Sequence, residues 1–253
     1  AKEHGTPLLL IDHDRIRENY RTFKRHLPRV QAYYAVKANS NPEIVKTLFD
    51  EGASFDVASY NEFMQVYEYI RHFEEKDQDF YIWDKIIFSN TIKDRDTLGK
   101  IRRYKPLVTF DNEDELTKIK EHCDTAGVIL RLKVPDIGSQ VEMSSKFGAE
   151  PGDARHLIGR AFDLGLVVEG LSFHVGSQCV HFGNYVDALE MASIIFRDAR
   201  LKQLPLDILD IGGGFPIRHF DFEEDAFEKT AGVIRRELDR LFDRNLRVIA
   251  EPG

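Results

Sequence analysis

Cysteine, methionine and tryptophan are scarce here: two, three and one among 253 residues. Cys123 and Cys179 have no partners at zinc-ligand spacing. A disulfide scaffold and a structural zinc site are therefore excluded, no metal is expected, and the cytoplasm is the default compartment. Apolar runs of roughly 18 residues, the length that crosses a bilayer, are missing too, so no membrane partner is expected. Residues 1–7 lack the basic and apolar regions of a secretory signal. Internal repeats and low-complexity tracts are absent. Positive charge is in deficit: 35 Lys and Arg against 43 Asp and Glu leave a net charge of -8, with the two signs interspersed. Phosphate backbones need a basic face, so nucleic acid is not an expected partner, and a cationic small molecule suits the balance better. What is present is 42% hydrophobic and 31% charged residues, enough to bury a core in one large domain or two small ones.

Short β-branched or aromatic runs alternate with longer segments of helical period, the pattern of β-α units around a parallel sheet. After an extended run at 8–11 and a helical stretch to about residue 25, strands are predicted at 33–36, 54–57, 86–89, 107–110, 128–132, 168–174, 207–211 and 248–250. Helical patterns occupy 42–50, 60–69, 94–104, 113–126, 153–164, 184–201 and 224–242. Eight successive strands make a (β/α)8 barrel of TIM type. An open doubly wound sheet satisfies the same alternation, and glycine placement favours the barrel. The charged stretch 73–84 reads as a solvated surface loop. The chain thus divides into 1–25, a strand and helix leading in, and 26–253, the barrel. It stops at Glu251-Pro252-Gly253, after strand eight and before any eighth helix. A longer protein is expected from this, with the run at 8–11 pairing in a sheet that the remainder supplies.

Barrel enzymes carry their chemistry at the C-terminal ends of strands. Strand one delivers Lys37 and Asn39 in Ala35-Val36-Lys37-Ala38-Asn39. Desolvation there is expected to lower the lysine pKa, as a Schiff-base lysine requires. Taken singly, a snorkelling or salt-bridged lysine accounts for the same residues. Strand two ends in Asp56, with Glu62 in the next helical turn, and either acid is placed to balance the lysine. Arg131 lies within an apolar strand and must find an anion or a carboxylate, a buried ion pair being the plain alternative. Strand six ends in His174-Val175-Gly176-Ser177, one wall of an anion site or a structural turn. Gly212-Gly213-Gly214 after strand seven and Glu251-Pro252-Gly253 after strand eight coincide with the usual barrel phosphate site. Glu251 is placed to face a ring nitrogen. Lysine, phosphate cradle, carboxylate and histidine form the inventory of a pyridoxal-phosphate site, while phosphosugar isomerases and aldolases share the first two. Cys179 has no base nearby and reads as packed and inert.

These segments resemble the fold type III pyridoxal-phosphate decarboxylases, which act on ornithine, lysine, arginine and diaminopimelate. The carrying motifs are Tyr34-Ala35-Val36-Lys37-Ala38-Asn39, Phe55-Asp56-Val57-Ala58-Ser59 with Glu62, Asn90-Thr91-Ile92-Lys93 and Lys146-Phe147-Gly148. Ser172-Phe173-His174-Val175-Gly176-Ser177-Gln178, Asp210-Ile211-Gly212-Gly213-Gly214-Phe215-Pro216 and Glu251-Pro252-Gly253 complete the set. They span almost the whole chain, and within the family they look most like bacterial ornithine or lysine/ornithine decarboxylases. The resemblance implies a barrel of the alanine racemase-like kind, with a C-terminal β-domain that this chain lacks. It implies that Lys37 carries the cofactor, His174 stacks on its ring, Glu251 pairs with the ring nitrogen, and Ser177, Gly213 and Gly214 hold the phosphate. Asp56, Arg131, Pro252 and Gly253 join the cofactor site, and Glu62, Asn39 and Lys146 are possible pocket residues. It further implies a cytoplasmic homodimer when full length, converting ornithine to putrescine or lysine to cadaverine in polyamine biosynthesis. A diaminopimelate or arginine decarboxylase, a non-catalytic homologue and an amino-acid racemase are the alternatives.

Overall fold

A computed structural model describes residues 3, 5–204, 206–217 and 226–253. Eight parallel strands close into a barrel, each hydrogen-bonded to its neighbours in chain order. The strands are β1 Val30–Ala35, β2 Ser54–Asp56, β3 Ile86–Phe88, β4 Leu107–Phe110, β5 Gly127–Leu132, β6 Val167–Phe173, β7 Ile208–Asp210 and β8 Arg247–Ala250. Closure is direct: Ala32 of β1 sits beside Ala250 of β8. The doubly wound alternative is thereby excluded, since an open sheet leaves two edges.

Nine α-helices surround the barrel among the described residues: α1 His13–His26, α2 Pro42–Asp50, α3 Tyr60–Ile70, α4 Glu75–Lys85, α5 Arg95–Ile101, α6 Glu113–His122, α7 Ala154–Asp163, α8 Phe182–Leu201 and α9 Ala226–Leu241. Their starts follow local chemistry. Asp12, Asn41, Ser59, Asp94 and Asn112 each accept a backbone N–H of the first turn, satisfying donors that a helix leaves unpaired. Residues 224 and 225, the predicted start of the last helix, lie outside the described residues. The run at 8–11 belongs to no strand, and Leu9 and Leu10 are exposed.

The stretch 73–84 is not the solvated loop that its charge implies. It forms α4, with Ile82 fully buried and Trp83 packed on the barrel's inner cluster. The Asp84 carbonyl accepts hydrogen bonds from Gln31 Nε2, Tyr33 Oη and Arg247 Nη2 at 2.7, 2.6 and 2.7 Å, which closes the N-terminal mouth. Sequence periodicity misses this helix because one fully buried position in three turns makes no apolar stripe. Ile82→Ala is expected to cost about 2–5 kcal/mol in a urea titration, against about 0.5 kcal/mol or less for a residue on a surface loop.

Inside the barrel, side chains point inward at every second residue. The lower part is sealed by Tyr33, Ile87, Leu107, Ile129, Ile208 and Ile249, all buried. Two residues further along, these strands deliver Ala35, Ser89, Thr109, Arg131, Asp210 and Glu251, while β2 adds Asp56 and β6 adds Ser172. The lumen therefore passes from apolar to polar within about 7 Å, and the polar layer is the floor of the C-terminal mouth.

Candidate functional site at the C-terminal mouth of the barrel

Lys37 stands on a single 3-10 turn, Val36–Ala38, that follows β1, rather than on the strand itself. Its Nζ donates to Asp56 Oδ2 at 2.9 Å, and its side chain remains 54% exposed, open to a reactant from solvent. Asp56, fully enclosed, is held from its other side by Ser89 Oγ at 2.5 Å. Burial acts to lower the lysine pKa, but attraction to Asp56 and then Glu251 outweighs it and the net shift is upward. The expected depression is thus reversed, because the barrel sets two carboxylates against one ammonium. The lysine in this state is charged and held in place by Asp56.

Arg131 projects from β5 into the same layer. The sequence demands an anion or a carboxylate for it, yet it has no ion-pair partner among the described residues. Its guanidinium lies over the Phe147 ring, 5.3 Å from the centroid. The buried structural ion pair is therefore not formed, and an arginine left over an aromatic face is free to meet an incoming anion.

His174 is neutral. Burial, and then the cations Arg131 and Lys37, push its pKa down to about 3. Gly176 N–H donates to Nδ1 at 3.0 Å, so the ring proton resides on Nε2. A native pKa below the unfolded value of about 6.5 means that the unfolded chain binds the extra proton. The stabilising contribution is full above pH 6.5 and is lost as pH falls toward about 3. His174→Gln is expected to flatten the decline of the urea midpoint over that window, while the His174 ring shows no titration in NMR spectra between pH 5 and 8.

The glycine run turns beneath this histidine. Gly214 has φ +93°, and a Cβ there would stand 2.1 Å from the Gly176 carbonyl oxygen, so no other residue fits. A Cβ on Gly213 would stand 2.8 Å from the Glu251 carbonyl oxygen and 3.1 Å from His174 Nε2. Neither Gly213 N–H nor Gly214 N–H meets an acceptor among the described residues, which leaves two donors for an anion. Ser177 N–H is already given to the Val141 carbonyl, so its hydroxyl is what remains for a ligand. That pairing is secured by Asp136, whose carboxylate takes the N–H groups of Met143 and Ser144 and folds the loop after β5 back over the mouth.

Glu251 follows β8 and faces Lys37 and Arg131. Burial, then Asp56, raises its pKa, while Asp210, Lys37 and Arg131 oppose the rise. The Pro252 carbonyl accepts Ala35 N–H at 2.9 Å, and Gly253 packs so close that a Cβ would stand 3.0 Å from Ala35 Cβ. This docks the chain beside Lys37. Lys37, Asp56, Arg131, His174, Ser177, Gly213, Gly214, Glu251, Pro252 and Gly253 are thus gathered at one mouth.

Two sequence candidates have other work, and a third lies apart. Glu62 accepts Ala58 N–H at 2.7 Å while Ser59 Oγ accepts Glu62 N–H at 3.2 Å, a reciprocal cap on α3. Asn39 Oδ1 accepts Asn41 N–H at 3.1 Å in the turn before α2. Lys146 is exposed on the loop after β5 and makes no ion pair among the described residues. Cys179 is packed, with Sγ 3.4 Å from the His181 carbonyl oxygen and no exposure. Sequence reasoning missed Asp210, Ser89, Thr109 and Ser172. Their signal is a polar residue at the inward phase of an apolar strand, as in Ile208, Asp210 and Gly212. Thr109 Oγ1, Ser172 Oγ and Asp210 Oδ2 are buried without partners. Among the described residues no group of His, Cys, Asp and Glu is arranged to hold a metal ion, and no helix is long and apolar enough to cross a membrane.

Comparison with known proteins places the chain in a family. The family model described as "pyridoxal-dependent decarboxylase, pyridoxal binding domain" matches residues 13–253. The lysine/ornithine decarboxylase of Selenomonas ruminantium is 34% identical over 258 residues, covering 100% of this chain and 62% of that protein. Antizyme inhibitor 2 of Xenopus laevis is 36% identical over 244 residues, covering 95% of this chain and 50% of that protein. A crystal structure described as SrLDC in complex with PLP and cadaverine superposes with a TM-score of 0.86 at 34% identity, covering 100% of this chain and 61% of that one. The chain spans between half and two thirds of the length of these relatives.

Proposed function

This chain belongs to the pyridoxal-dependent decarboxylases through their pyridoxal-binding domain, and from that premise we propose that the full-length protein decarboxylates a basic L-amino acid, ornithine or lysine, in polyamine biosynthesis. The observation that carries the reading is the Lys37 amine, half exposed and 2.9 Å from Asp56, at the mouth that also holds the unpaired glycine N–H groups.

The residues present fit pyridoxal phosphate. A phosphate would meet the free N–H groups of Gly213 and Gly214 and the Ser177 hydroxyl, on a turn packed so tightly that a Cβ on Gly214 would strike the Gly176 carbonyl. Neutral His174 offers a flat ring beside them. Glu251 offers a carboxylate to the ring nitrogen, and Pro252 and Gly253 set its position. When bound, pyridoxal phosphate supplies an aldehyde for an amine and an electron sink for the bond broken at the α-carbon.

The chain's own groups divide the remaining work. Asp56 orients the Lys37 ammonium and balances its charge, so that the group is held at one fixed place. Arg131, which lacks a carboxylate of its own, binds an incoming anion. The apolar layer beneath, Tyr33 to Ile249, keeps water from entering through the barrel, which strengthens each of these interactions. The net charge of -8 favours approach of a cationic amino acid. The proposed full-length protein is a cytoplasmic homodimer.

Similarity to antizyme inhibitor 2 supports a second reading, a homologue that binds a partner and does not catalyse. One experiment separates the two. Full-length protein is mixed with pyridoxal phosphate, reduced with borohydride and mapped by peptide mass, then assayed on ornithine, lysine, arginine and diaminopimelate for carbon dioxide and diamine. An adduct on Lys37 with putrescine or cadaverine as product supports the decarboxylase. An adduct elsewhere, or none, refutes it, and an adduct without carbon dioxide release from any of the four favours the non-catalytic reading.

A further inference from the structure

Asp210 is the most enclosed acid at the mouth, with no exposure at all. It ends β7 on the inward phase above Ile208. Its Oδ1 accepts Gly212 N–H at 2.8 Å, and its Oδ2 has no hydrogen-bond donor. Its carboxyl stands beside that of Glu251: Asp210 is in register with Ile249 of β8, Glu251 follows on the same inward phase with its N–H donating to the Gly212 carbonyl at 2.8 Å, and the Glu251 charge acts on Asp210. No lysine, arginine or histidine pairs with it among the described residues. The charged and titratable groups that face it are Glu251 from β8, Asp56 from β2 and the Tyr33 phenol from β1.

An ionised Asp210 would leave a bare oxygen in a dry site and set two anions side by side. A single proton between the carboxyls removes both penalties, because two carboxyl groups hydrogen-bond only when one of them is a donor. The surroundings decide which of the two keeps it. Glu251 faces the cations Lys37 and Arg131, whereas Asp210 faces only acids and a phenol. The geometry points to Asp210 as a neutral carboxylic acid that donates its O–H to Glu251, a positioning residue that keeps Glu251 ionised and aimed into the mouth. Burial and the Glu251 charge both push the Asp210 pKa well above the carboxylate range, in keeping with this assignment. The consequence for a ring nitrogen rests on the proposed function, while the location of the proton does not.

The test uses full-length protein. Infrared difference spectra of the wild type against Asp210→Asn at pH 7 without cofactor are expected to show the carbonyl stretch of a protonated carboxyl in the wild type, the contribution of Glu169, whose pKa is raised to about 7, cancelling between the two. The asparagine amide still accepts from Gly212 and still donates to Glu251, so Asp210→Asn is expected to keep wild-type affinity for pyridoxal phosphate and a wild-type cofactor spectrum. Asp210→Leu, which cannot donate, is expected to weaken that affinity roughly tenfold or more. No carbonyl band in that difference spectrum, or an Asp210→Asn protein as impaired as Asp210→Leu, would each overturn the proposal. Failure of the wild-type protein to take up pyridoxal phosphate counts against the proposed function alone, because the infrared band is read without the cofactor.

Discussion

Lys37→Ala in the full-length protein is expected to abolish the borohydride-trapped adduct and to lower turnover by at least about a thousandfold, measured as carbon dioxide release. No neighbouring amine can replace it. Lys93 is buried with its Nζ committed to the Asn90 and Thr109 carbonyls and to Glu115, and Lys146 lies out on the loop after β5. The alanine variant also strands Asp56 without its cation, so a loss of activity alone does not separate the two roles of the lysine. Lys37→Arg does. It keeps a positive charge beside Asp56 and has no amine to offer an aldehyde. The arginine variant is therefore expected to match the alanine variant in activity and adduct while retaining more of the wild-type stability. Wild-type turnover with Lys37→Arg would remove the lysine from the chemistry.

The second large effect is expected at Glu251. Glu251→Ala removes the carboxylate that faces both cations of the mouth, and kcat is expected to fall about 10² to 10³-fold with a smaller change in KM. The physical reason is that a preorganised charge in a site shielded from water acts most strongly where charge develops during reaction. Glu251→Gln keeps the shape and loses the charge, so it is expected to fall nearly as far in kcat. A loss confined to KM, or an equal loss of folding stability in both variants, would make Glu251 a structural residue.

The fold was legible in the sequence because each strand announces itself. The β-branched and aromatic runs at 33–36, 107–110 and 128–132 overlap strands β1, β4 and β5. Helix α4 was not legible, since only Ile82 among its residues is fully buried and its role is to present the Asp84 carbonyl to three donors from β1 and β8. Much of the mouth was legible for the same reason as the strands. Lys37, Asp56, Arg131, His174 and Glu251 each stand at or beside a strand end where an apolar pattern stops.

The sequence by itself determined which strands form, which residues they carry to their C-terminal ends, and where glycine leaves backbone donors bare. These are local properties, set by side-chain alternation and by the backbone freedom of single residues. Only the tertiary structure decided the charge balance among the residues so delivered. It reversed the expected direction of the Lys37 pKa, left Arg131 without a carboxylate, committed Glu62 to the cap of α3 and Asn39 to the turn before α2, and set Asp210 against Glu251. Electrostatic energy depends on distances between groups far apart in the chain, such as Lys37 and Glu251, and those distances exist only once the barrel has closed.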